Sequence, residues 1–228
     1  MEVMGAPTGA VTLGAAHLPL RDQVREELRD RIADGRLPPG TKMVERELAS
    51  ELGVSRVPVR EAVRMLETEG FVQVVPRRGV IVRHLSRRDV EELFDMREVL
   101  EVWAARRAAT DATEAELSGM AAILDAGEAA LPEGHIEAHH ANESFHDALL
   151  AMAHHHLLAF ILEPLQGRLH WLFRQSPDDV ELAHDHRALF EAIKARDPDE
   201  AGRLALDHVR LNRGIALRLL FADNPQAK

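Results

Sequence analysis

The stretch "VSRVPVREAVRMLETEG" (54–70), followed at once by "FVQVV-PRRG-VIVRH" (71–84), constrains the fold of this chain more than any other. Ser55 fits a helix N-cap. Pro58 falls in the first turn, where N–H groups have no intrahelical partner, and Gly70 closes the helix. Val59, Val63 and Leu66 share one side, and Arg56, Arg60 and Arg64 share another, roughly a third of a turn away. Such a helix packs one side into a small core and holds out a row of guanidinium groups. The two runs that follow read as short strands around the four-residue turn "PRRG", with Arg77 and Arg78 at its tip. Gly79 lets the backbone approach closely there.

Upstream, "LPLRDQVREELRDRIADG" repeats an apolar residue every fourth position (Leu20, Val24, Leu28, Ile32), which predicts a helix ending near Gly35. "LPPG" (37–40) is a turn, and "MVERELASELG" a short second helix stopped by Gly53. Helix, helix, short turn, helix, hairpin is the order of a winged helix-turn-helix. Planar guanidinium forks suit guanine edges and phosphates, so Arg56 and Arg60 are expected on DNA and the wing arginines in the minor groove or on phosphate. Arg64 is expected to pair with Glu67 instead.

A net charge of −10 argues against nucleic acid until it is divided. Residues 18–85 hold 13 basic against 11 acidic side chains, and residues 86–228 hold 15 against 26. A slightly basic front and an acidic back predict two domains: 18–85 as the DNA reader and 86–222 as an all-α bundle, between a flexible leader (1–17) and a tail (223–228). Ser86, "TEAE" (113–116), "SPDD" (176–179) and "DPDE" (197–200) all read as helix starts, and no stretch after Ser86 alternates like a strand. About six helices fit. The longest apolar run, Leu157–Leu162, is far too short to span a membrane. The first residues lack the pattern of a signal peptide, so the expected location is the cytoplasm.

With no cysteine, any metal here must take nitrogen and oxygen ligands. Histidine is abundant: "HIEAHHANESFHDALLAMAHHH" (135–156) holds seven. On that helix His146 shares a face with Asn142, Leu149, Leu150 and Ala153, and also with His139 and His135. His186 shares a face with Leu182, Leu189, Phe190 and Ile193, and His208 with Leu204, Leu211 and Ile215. His184 points the other way, and His154–His156 read as a turn or cap. Three helices thus each carry one inward histidine, and a bundle can bring them to one point. Three imidazoles and one oxygen ligand suit zinc, nickel or a similar divalent ion.

Two resemblances sharpen these expectations. "GRLPPGTKMVERELASELGVSRVPVREAVRMLETEGFVQVVPRRGVIV" (35–82) is similar to the DNA-binding domain of GntR-family bacterial regulators. The resemblance implies DNA contacts from Arg46, Ser55, Arg56, Val57, Arg60, Arg78 and Gly79, and a homodimer on a palindromic operator. "DMREVLEVWAARRAA", "NESFHDALLAMA" and "DHRALFEAIKARDPDEAGRLALDHV" resemble the FCD effector-binding domain of that family's FadR branch. This likeness implies a metal held by Asn142, His146, His186 and His208, with a small organic acid on its open positions. Many members have Asp where this chain has Asn142, and His139 is a rival ligand. Arg97 is either a second carboxylate anchor or the partner of Glu101, and Trp171, Phe173 and Arg174 are either pocket wall or core. The implied protein is a repressor released by an acid. Two other readings stay open: a regulator that binds the carboxylate without metal, and a metal enzyme with Glu143 as base.

Overall fold

The computed structural model describes residues 18–130, 135–174 and 184–221. They form two compact units that divide between His84 and Leu85. The expected leader, tail and "SPDD" helix start lie outside the described residues.

The first unit contains α1 (Leu20–Ala33), α2 (Glu45–Leu52), α3 (Arg56–Glu69), β1 (Val72–Val75) and β2 (Gly79–Val82). Val24, Leu28 and Ile32 of α1 bury completely against α3, whose Val59, Ala62, Val63 and Leu66 form the facing side. Each large aliphatic side chain buried this way contributes ~1.5–3 kcal/mol. Gly53 (φ 65°) and Gly70 (φ 81°) end α2 and α3 in the left-handed region, which L residues resist. Ser55 occupies the N-cap of α3, but its hydroxyl makes no capping bond and the residue is exposed. β1 and β2 pair antiparallel with Val75 opposite Gly79, so the wing turn is Pro76–Arg78, shorter than the expected "PRRG" because Gly79 joins the ladder. Arg77 (φ 65°) and Gly79 (φ 84°) both take left-handed conformations to close it, as tight hairpin turns require. The segment before α2 adds a short third edge: Lys42 bridges to Ile81, and the Met43 N–H donates to the Val80 carbonyl at 2.9 Å.

The second unit is a bundle of α4 (Arg87–Asp111), α5 (Glu114–Ala130), α6 (His135–Met152), α7 (His156–Arg174), α8 (His184–Lys194) and α9 (Pro198–Phe221). α4 is its axis and packs on α6, α7, α8 and α9. It can do so because one side is small: Ala104, Ala105, Ala108 and Ala109 are all buried and let neighbouring helices approach. The Ser86 start is a full capping box with Asp89. Thr113 and Glu116 form a second, and the Asp197 carboxylate accepts from the Glu200 N–H at 3.0 Å. The histidine triplet lies at the α6–α7 turn. His154 has φ 49° and sits 2.7 Å from a Glu116 carboxylate oxygen, while His155 Nδ1 caps α7 by accepting from the Leu158 N–H at 3.0 Å.

One glycine fixes the packing of α5 on α6. A Cβ at Gly127 would lie 2.8 Å from the Cβ of Ala141. Alanine normally gains ~1 kcal/mol over glycine within a helix. Here the overlap reverses the sign, and Gly127→Ala should destabilise the protein by ~1–2 kcal/mol. Urea denaturation reads this, and a stabilised variant would show that α5 and α6 have room to part.

Candidate metal centre and nucleic-acid interface

The centre is built by neighbours of the histidines. Phe145 and Leu149 draw one face of α6 into the core and carry His146 with them (8% exposed). Leu189, Phe190 and Ile193 do this for His186 on α8 (4%), and Ala205 and Val209 for His208 on α9 (2%). Each of the three rings offers a nitrogen, and these atoms all lie within 4.8 Å of one another. His186 Nε2 is 3.3 Å from His208 Nε2. Phe145 stacks on His186 with centroids 4.0 Å apart and limits its rotation.

The electrostatics favour neutral rings. Burial first, and then the nearby Arg97 charge, bring the His186 pKa from 6.5 down to about 3. Burial, the His186 ring and Arg97 together push His208 well below its ordinary value. A neutral imidazole keeps the lone pair that a metal needs. The same shifts bear on stability. Below pH 6.5 the unfolded chain binds protons at these positions and the folded chain does not, so stability is full above that value and is lost as pH falls towards about 3. For metal-free protein between about pH 6 and pH 4, His186 should contribute a slope of up to ~1.4 kcal/mol per pH unit. Urea titrations across that range read it, and His186→Asn should flatten the profile. An unchanged profile would mean that His186 is charged in the fold.

Arg97 and Glu101, both on α4, are buried together. Arg97 Nε donates to Glu101 Oε1 at 2.5 Å and Nη2 to Oε2 at 3.0 Å, which is a two-point fork. The expected ion pair is therefore present, yet it uses only part of the guanidinium: Nη1 is buried without a hydrogen-bond partner. Glu101 Oε2 also lies 3.7 Å from His146 Nδ1. Asn142, one turn before His146, has its Oδ1 buried and unpartnered. An amide oxygen left so loses ~1–3 kcal/mol of solvation unless something fills the position. The donor set, three imidazole nitrogens plus a buried amide oxygen, fits a divalent transition metal.

Sequence reading missed Asn212. It is buried on α9 (2% exposed), and its Nδ2 lies 2.9 Å from His208 Nε2. The signal was available: a polar residue one helical turn after His208, on its inward face. Leu211 was placed on that face instead and is a correction, because it is 41% exposed. The buried stripe of α9 centres on Ala205, Val209 and Asn212, so His208 lies at its edge and Leu211 beyond it. Trp171 is core, at 1% exposure. The side chains of His135, His139, Phe173, Arg174, Leu182 and His184 lie outside the described residues.

On the first unit every residue expected on DNA is accessible to solvent. Ser55, Arg56, Val57 and Arg60 are exposed around the start of α3, Arg78 and Gly79 are exposed on the wing, and Arg46 is exposed at the start of α2. Arg56 makes only a loose 4.0 Å approach to Glu45. The expected Arg64–Glu67 pair does not form; both side chains stay in water, where such a pair gains little over solvation.

An exposed arginine-bearing helix with a basic wing, joined to a bundle that buries three converging histidines, defines a DNA-binding regulator with a sensing domain. The comparisons agree. Residues 20–82 match the model for bacterial regulatory proteins of the gntR family, and residues 92–211 match the FCD domain. The chain is 30% identical over 192 residues to the HTH-type transcriptional regulator YdhC of Bacillus subtilis, covering 82% of this chain and 86% of that one. It is 29% identical over 197 residues to the HTH-type transcriptional repressor RspR of Escherichia coli K12, covering 84% and 86%. The solved structure of E. coli McbR/YncC shares the fold, with a TM-score of 0.77 at 24% identity over 88% of this chain and 98% of that one. The chain belongs to the GntR family of transcription regulators, with a C-terminal FCD domain, and it is not an enzyme. Among the described residues no helix is long and apolar enough to cross a membrane.

Proposed function

We propose that this protein is a cytoplasmic repressor whose grip on its operator is set by a small organic acid at a metal centre in the second domain. The convergence of His146, His186 and His208 on one buried point carries this reading. Asn142 would add an oxygen ligand, and zinc is the metal the set suits best, with nickel next. When bound, the metal supplies positive charge and open positions for carboxylate oxygens. The chain's own residues do the rest. Arg97 Nη1 donates to the acid, while the Glu101 fork holds the guanidinium in place. Asn212 Nδ2 contacts the same His208 Nε2 that faces His186, so it would hold that ring in the metal-free centre and yield the nitrogen lone pair to a metal. On DNA, Arg56 and Arg60 read base edges, Val57 meets a thymine methyl, and Arg46, Ser55, Arg78 and the Gly79 backbone hold phosphates. One such domain has few cationic contacts, so two copies act together on a palindrome.

Elemental analysis tests the metal directly. Protein purified without chelator or histidine tag should carry about one divalent ion per chain. A value near zero with acid binding intact would instead favour direct recognition by Arg97 Nη1, the unpartnered donor beside the histidines. Asn142→Asp separates the amide's role: a carboxylate there neutralises part of the metal charge. It should hold metal ~10-fold more tightly and the acid less well, as read by calorimetry.

A further inference from the structure

Asn212 is the polar residue that α9 has least reason to bury. Asparagine is a poor helix former, because its amide competes for backbone groups, and position 212 lies well inside the helix. Its inward neighbours Val209, Ile215 and Ala216 are all buried and apolar. Among the described residues its one polar partner is His208, whose Nε2 lies 2.9 Å from Asn212 Nδ2. The Oδ1 end is buried without any partner. Turning the amide over exchanges the two ends and still leaves one unpaired. His208 Nε2 is also the nitrogen that faces His186 Nε2, at 3.3 Å. Its lone pair can serve the amide or a metal, not both. With a metal on His208 Nε2, Asn212 therefore loses its partner. A whole primary amide, donor and acceptor together, is then left at the histidine point.

Two other buried atoms at the centre lack partners, Arg97 Nη1 and Asn142 Oδ1. α4 packs on α9, and two ion pairs join them on either side of Asn212 and Arg97: Arg213–Asp95 at 2.7 Å and Arg210–Glu98 at 3.4 Å. A carboxylate can only accept. It completes Arg97 Nη1 and can take one N–H from the freed Asn212 amide, but it has no hydrogen for Oδ1. A keto oxygen fails in the same way. A hydroxyl donates to Oδ1 and completes the set. An ammonium could donate too, but it would stand beside the Arg97 guanidinium and the metal, and like charges repel. Because Asn212 touches His208 itself, it meets the group next to the carboxylate and not a distant tail. A site built to pair a hydroxyl rejects the analogue that leaves its buried groups unpaired.

We infer that Asn212 is the specificity-determining residue of the acid site: it holds His208 while the centre is empty and, once released, selects α-hydroxy acids over their unsubstituted and α-keto counterparts. The inference rests on the reading of the centre as a metal-dependent acid site, and it names the class of acid. Calorimetry on zinc-loaded full-length protein tests it with short straight-chain acids, each α-hydroxy acid in both hands against the parent acid of equal length. In at least one pair the hydroxy acid should bind at least ~10-fold more tightly. A hydroxyl can also gain from the metal, so the change in this ratio is decisive. Asn212→Leu, an apolar replacement of similar size, should reduce the ratio at least ~10-fold and change the parent acid by less than ~3-fold. Zinc affinity without acid, read by chelator competition, should be unchanged or higher, because the variant has nothing that competes for His208 Nε2. If Asn212→Leu does not fold, Asn212→Ala gives the same comparison, since alanine suits a helix interior. An unchanged ratio, or no preference for a hydroxy acid at any length, would overturn the assignment and leave the acid reading standing. A fall in zinc affinity of ~10-fold or more would make Asn212 a support of the metal ligands instead, and overturns it too. Failure of every acid to bind the loaded protein would overturn the assignment and the acid reading together.

Discussion

His208→Ala should lower the affinity for a divalent metal by at least ~100-fold, the largest single effect expected of any substitution in the second domain. Three nitrogens from three helices share one point, and removing one leaves two rings and at most a neutral amide oxygen, a weaker donor set than two rings with a carboxylate. Stability reads the same event independently. A metal present at about 100 times its dissociation constant adds ~2.7 kcal/mol to the folded state. In a domain of this size that raises the melting temperature by about 5–11 °C. The natural protein should show this increment and His208→Ala should not. The substitution also leaves a small cavity beside Asn212, so the comparison is between increments, each protein against its own metal-free form. His154→Ala should keep the whole increment, because His154 lies at the exposed α6–α7 turn and pairs with Glu116. Equal increments in natural protein and His208→Ala would place the metal elsewhere.

Arg60→Ala should produce the largest effect on the first domain. Arg60 lies in the first half of α3, the part that enters the major groove in helix-turn-helix proteins, and it is exposed. Loss of one base-reading arginine costs ~1–3 kcal/mol per half-site and relaxes specificity at that position. Two copies on a palindrome lose both, so affinity should fall by at least ~30-fold while the fold, read by circular dichroism, is unchanged. Arg78→Ala on the wing should behave differently. A phosphate contact weakens binding to all sequences alike and shortens the salt slope by about one per copy. Fluorescence anisotropy on operator and scrambled duplexes, across salt, separates the two. A uniform loss for Arg60→Ala would move it from bases to phosphates.

The first domain was almost fully legible in the sequence because its signals are local. Gly53 and Gly70 stop helices wherever they occur, and the every-fourth repeat of α1 needs no partner to be recognised. The wing turn was misjudged by one position, since pairing of Gly79 with Val75 depends on Arg77 taking a left-handed backbone. The site was legible by face but not by depth. His146, His186 and His208 could be placed on inward stripes, yet their distances depend on how α6, α8 and α9 meet α4. Asn212 was hidden for this reason. Helical spacing allowed either Leu211 or Asn212 to face inward, and hydrophobicity favoured the wrong one. The Arg97–Glu101 fork shows the reverse case: spacing predicts the pair, but only the packing of α4 shows that it is buried and leaves one guanidinium nitrogen over.

The proposed function requires the histidine centre and the operator surface to be energetically coupled. Anisotropy titration of the intergenic DNA upstream of this protein's own gene, at ~100 mM salt, tests it most directly. Metal-loaded protein should bind that DNA, and at least one acid from a panel of small carboxylates should weaken binding by ~5–150-fold, the usual range of coupling between two sites. The effect should vanish in His208→Ala and in chelated protein. Absence of DNA binding, or an acid effect of equal size in His208→Ala, would contradict the account.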